Sequence, residues 1–169
     1  MSTLTEALPL PAAQWHSALR RYLAVIATGN LVWEFFHMPL YTIWREGTPG
    51  KIVFAALHCT GGDILVALAS LMVGLLLVGN GAWPAGRFRA VAAFTIVLGV
   101  SYTIFSEWLN IVRRAAWAYS DLMPVVSLWG FEVGLSPLLQ WIVVPSAAFW
   151  WARRVTRFTL PRPLNPGNG

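Results

Sequence analysis

Glu34 and His37 form a Glu-x-x-His pair, the spacing that stacks a carboxylate and an imidazole on one face of a helix. His58 and Asp63 follow in the next apolar stretch and Glu107 in the one after. Ionisable groups in such surroundings are costly, so they mark a candidate site. Four chemistries suit the set. Glu34, His37, His58 and Asp63 could ligate a transition metal such as zinc, iron, manganese or copper. A paired di-iron site would need a second Glu-x-x-His, which the chain lacks. Glu34 or Asp63, held away from water, could keep a proton near neutral pH and act as an acid, with His37 or His58 as base. The same groups could relay protons or a cation. Two histidines at one depth could also bind a haem axially, but crowding carboxylates rank that last.

The elements that must position these groups are membrane helices. Hydrophobic residues make up 57% of the 169 and charged ones 11%, with ten tryptophans, and the mean hydropathy is +0.59. That balance excludes an ordinary soluble domain. Four segments are long enough to cross a bilayer, which takes roughly 20 residues of helix: 22–44, 52–78, 90–112 and 135–151. None alternates like a barrel strand, so the expected fold is all-α, an antiparallel four-helix bundle forming a single membrane domain over 1–169.

Net charge +5 raises nucleic acid as a partner. The basic residues flank helices instead of forming a patch, so membrane lipids are the expected partner, with an apolar small molecule if the site is catalytic. With the N-terminus inside, Arg20, Arg21, Arg87, Arg89, Arg153, Arg154, Arg157 and Arg162 are cytoplasmic, against Arg45, Lys51, Arg113 and Arg114 outside. The positive-inside rule therefore places both termini in the cytoplasm of a cell membrane, read as a bacterial inner membrane. The opening lacks the pattern of a secretory signal, so the first helix is expected to be retained. The lone Cys59 allows no intramolecular disulfide and reads as a small buried residue. Residues 113–134 form a long outer connection rich in aromatic residues, read as an interfacial belt with a lid as the alternative, and 160–169 read as a disordered tail.

Counting down from the outer ends places Glu34 and Asp63 about 15 Å deep, His37 and His58 in a shallower layer, and Glu107 shallower again. Helical phase puts Asn30, Glu34, His37 and Tyr41 on one stripe, Thr103, Glu107 and Asn110 on another, and Ser136 with Gln140 on a third. His58 and Asp63 flank a groove floored by small residues. The expected site thus opens toward the outer, periplasmic face, with Asn30, Tyr41, Glu107, Asn110 and Gln140 in support. Each part has a structural alternative: Gly61-Gly62 as a close helix contact, Glu107 with Arg114 as an ion pair, and Asn30 and Gln140 as interhelical glue.

At scattered positions the chain resembles the EXPERA (emopamil-binding, sterol isomerase) family, which also places His and Glu on an early helix and has a last-helix stretch similar to Trp141-Ile-Val-Val-Pro145. The resemblance implies an isomerase or cyclase acting on a lipid or isoprenoid. The first expectation remains a bound transition metal, with the acid–base enzyme and the relay as alternatives.

Overall fold

Proline and its partners set the helix ends. Thr48 caps the second long helix, its hydroxyl accepting from the Lys51 N–H, and Pro49 fills the first-turn position where no amide hydrogen is needed. At the end of the first helix Pro39 works the other way. It disfavours helix at the residue before it, so the chain tightens into a 3-10 turn at Met38–Leu40.

The computed structural model describes residues 11–154. In chain order these form α1 (Pro11–His37), the 3-10 turn, a one-turn α2 (Ile43–Glu46), α3 (Pro49–Val78), α4 (Phe88–Glu107), a π-helical turn (Trp108–Arg113), the strands β1 (Val125–Leu128) and β2 (Phe131–Gly134), and α5 (Leu135–Ala152). The anticipated tail at 160–169 lies outside the described residues.

Among the described residues, three helical stretches are long and apolar enough to cross a membrane: Gln14–Leu40, Pro49–Val78 and Phe88–Arg113. The 18-residue α5 is not among them; Ser136, Gln140 and two prolines dilute its apolar content. The four helices nonetheless close a ring in which α1 packs on α3 and α5, and α4 packs on the same two. Phe36, Leu65, Leu76, Leu77 and Val97 point outward and exposed, the apolar exterior a lipid-facing bundle needs.

α1 begins well before the expected Tyr22. Trp15 and Ala18 extend its packed face past the arginine pair, and Trp15 meets Trp83 edge-on at 4.8 Å. Its helical end at His37, short of the expected Trp44, follows from Pro39.

The strict all-α expectation is corrected by the outer connection, which holds an antiparallel hairpin pairing Val125 with Gly134 and Leu128 with Phe131. Its two-residue loop, Trp129-Gly130, has both φ angles positive, the geometry that matches strand twist. This segment folds back onto the α1–α3 connection: Thr42 N–H donates to the Ala118 carbonyl, and Ser120 N–H to the Leu40 carbonyl. It is a built cap over one end of the bundle.

At the opposite end Tyr22, Ile26, Ala67, Leu71, Trp83, Val91 and Phe149 form a dry apolar core. Close approach depends on small residues there and above. A Cβ on Gly29 would stand 2.9 Å from Val144, and one on Gly99 only 2.0 Å from the Trp141 ring. The helices are therefore tight at the apolar end and at mid-height, and the remaining space lies toward the hairpin end.

Candidate functional site

That space is a cavity of about 870 Å³ between all four long helices. Glu34 and His37 of α1 form part of its wall, Asp63 of α3 and Gln140 with Trp141 of α5 its deep end, and Glu107 of α4 its upper side.

The three-residue spacing does what helical geometry requires: His37 Nε2 lies 3.1 Å from Glu34 Oε2. The other imidazole nitrogen, Nδ1, is 3.2 Å from the Ser136 hydroxyl, which in turn accepts from the Trp33 indole N–H at 3.1 Å. His37 is thus oriented at both nitrogens, and its ring also meets Tyr41 edge-on at 5.2 Å.

One side chain gathers the deeper groups. Gln140 Nε2 donates to Asp63 Oδ2 at 2.9 Å, Asn30 Oδ1 at 3.0 Å and Glu34 Oε1 at 3.1 Å. An amide nitrogen has two hydrogens, so three acceptors share two donors. Asn30 keeps its own amide on the Ile26 carbonyl one turn back, which leaves its oxygen free for Gln140. Glu34 and Asp63 thus converge on the same amide nitrogen from different helices. Asn30, Glu34, His37 and Gln140 are all buried, so this network is made out of water's reach apart from the cavity.

The upper side is organised separately. Glu107 accepts from the Tyr119 hydroxyl, whose oxygen accepts in turn from the Gly134 N–H at 2.7 Å. The structural alternative for Glu107, an ion pair with Arg114, is not formed among the described residues; Glu107 instead bonds the outer connection. Burial, then the Glu107 charge, raises the Tyr119 phenol well above its ordinary value, so it stays a donor. Tyr41 is raised likewise, by burial first and then by Glu107. Asn110 turns its amide back to the Ser106 carbonyl.

Of the anticipated site residues, Glu34, His37, Asp63, Asn30 and Gln140 are brought together. His58 is not. It is exposed at the cavity's edge and stacks on Phe54, with ring centroids 5.6 Å apart. Five residues turn a helix by roughly 140°, so Asp63 facing Gln140 carries His58 away from His37. Among the described residues no three His, Cys, Asp or Glu side chains converge as a metal-ligand group. Gly61 and Gly62 make no close helix contact, since a Cβ on either would meet nothing within 4 Å. Cys59 is half-buried and lines the cavity.

Trp33, Ser136 and Tyr119 join the networks without having been anticipated in those roles. Ser136 was legible as the residue one turn before Gln140 on the same stripe, whereas Tyr119 arrives only because the hairpin folds back.

In comparisons with protein-family models, curated proteins and solved structures, none matches the chain. The scattered likeness to sterol isomerases therefore assigns no family.

Proposed function

We propose that this is a multi-pass membrane protein of four spans, with both termini cytoplasmic, that binds an apolar small molecule in its cavity and exchanges a proton with it through Glu34 and Asp63. This is the chemistry of an isomerase or cyclase. One observation carries the reading: a single amide, Gln140 Nε2, holds the carboxyls of Glu34 and Asp63 together at the cavity wall. In this reading the two carboxyls, converging on one amide in a medium of low dielectric, share one proton. His37, fixed by Ser136, lies against the other oxygen of Glu34 and can receive a proton from it or return one. The core around Tyr22, Leu71 and Trp83 speaks against a through-going relay, because a proton entering the cavity meets no carboxylate or histidine among those residues.

Farnesol serves as the apolar probe. Titrated into protein in lipid nanodiscs, it should shift the infrared carbonyl band of the protonated Glu34–Asp63 pair, and Gly62→Trp should abolish the shift by filling the cavity. A carboxyl band indifferent to farnesol would contradict the reading.

A metal-binding reading has one observation in its favour, the Glu34–His37 pair on the cavity wall. Glu34, His37, His58 and Asp63 would then hold a zinc, iron, manganese or copper ion, and His58 would have to leave Phe54. Near-stoichiometric metal in purified protein, lost in His37→Ala, would establish it.

A further inference from the structure

The cavity changes character along its length. Its deep end is carboxyl-rich, with Trp141 beside Gln140, and Phe54 and Tyr102 add aromatic wall nearer the rim. Its outer end carries Lys51 at the start of α3 and Arg114 just past the π-helical turn, both exposed. Neither cation has an ion-pair partner among the described residues, and Glu107, two turns before Arg114, is taken by Tyr119. Beside them the Trp117 indole N–H is buried, lines the same cavity and has no hydrogen-bond partner. A buried donor without a partner is unfavourable, so it points to an acceptor supplied from elsewhere.

Phe54 of α3 and Tyr102 of α4 both line the cavity. Gly74 brings the two helices into contact, with a Cβ there reaching 3.0 Å from Thr95 Oγ1, whereas Gly62 on the same helix faces open space. Phe54 at 69% exposure and Tyr102 at 48% therefore stand as lips on either side of a gap that a bilayer would fill.

We propose that the cavity's ligand is an amphiphile with an anionic head group, a phosphate or a carboxylate. It enters sideways between α3 and α4, its head held by Lys51, Arg114 and the Trp117 N–H. Its hydrocarbon body lies along Phe54 and Tyr102, with its far end against Asp63 and Glu34. Cations at the outer rim suit an anionic head through charge-assisted hydrogen bonds. The apolar stretch between rim and carboxyls suits a chain, and a soluble anion would leave it unfilled. This inference rests on the reading of the cavity as a ligand site.

The test measures binding to the full-length protein in nanodiscs of zwitterionic lipid, using dodecyl phosphate, dodecyltrimethylammonium and inorganic phosphate as probes. Dodecyl phosphate should bind saturably and roughly tenfold more tightly than the cationic probe, and Lys51→Gln with Arg114→Gln should erase that preference. Trp117→Phe should weaken dodecyl phosphate alone. Inorganic phosphate should compete poorly. Equal binding of the two amphiphiles, or a preference that survives the double substitution, would overturn the head-group assignment. Competition by inorganic phosphate as strong as by dodecyl phosphate would overturn the amphiphile in favour of a free anion. If Gly62→Trp leaves both amphiphiles bound, the cavity reading itself falls; if it abolishes both while they bind alike, only the head group is wrong.

Discussion

Gln140 of α5 reaches Asp63 of α3 across the bundle at 2.9 Å, and the same nitrogen bonds Asn30 and Glu34 of α1. One amide thus ties three helices at the depth where the carboxyls sit. Interhelical hydrogen bonds in membranes average only ~0.6 kcal/mol, but leaving buried acceptors without a donor costs about 1–3 kcal/mol. The second figure applies here, because two of the three acceptors belong to carboxyl groups. Gln140→Leu should therefore lower stability by about 1–3 kcal/mol in reversible unfolding, whereas Ser101→Ala, on the exposed outer face of α4, should change little. Equal stability of Gln140→Leu and the parent protein would remove the amide from its organising role.

The Tyr119–Glu107 bond fastens the hairpin connection to the end of α4. With its phenol raised above the ordinary value, the tyrosine contributes stability that is complete below pH ~10 and is lost as pH rises further through its folded-state value. Phenolate absorbance of the folded protein should accordingly be the same for the parent and Tyr119→Phe through pH ~10. A difference appearing near that pH would mean that Tyr119 ionises as an exposed phenol.

Gly99 and Gly61 face opposite circumstances. A Cβ at Gly99 would overlap the Trp141 ring, while one at Gly61 would meet nothing within 4 Å. Gly99→Ala should cost about 1–3 kcal/mol by overpacking and disturb Trp141 fluorescence. Gly61→Ala should be neutral or stabilise the helix slightly. Similar melting temperatures for the two variants would contradict the packing at mid-bundle.

Much of this arrangement could be read from residue order. The apolar runs gave the three long helices, and the Glu-x-x-His spacing placed His37 against Glu34 because three residues nearly complete a helical turn. Gln140 was legible as the polar position on a mostly apolar helix. His58 lies at the depth expected, but the five-residue step between it and Asp63 turns it away from His37 and onto Phe54, so matched depth did not bring the two histidines together. The hairpin was missed for a related reason. Val125-Val126-Ser127-Leu128 is strand-like and Trp129-Gly130 can turn, but the aromatic content of 113–134 suits an interfacial belt equally well. The residues that dock this connection, Ala118 and Ser120, find their backbone partners at Thr42 and Leu40, some eighty residues earlier.

The central claim is that Glu34 and Asp63 act as one proton-holding pair on the cavity wall. The infrared spectrum of the protein in nanodiscs at neutral pH tests it directly, since a protonated carboxyl has a carbonyl stretch that a carboxylate lacks. A protonated-carboxyl band that both Asp63→Asn and Glu34→Gln remove or shift is the predicted result. No such band in the parent protein, or one that both substitutions leave untouched, would contradict it.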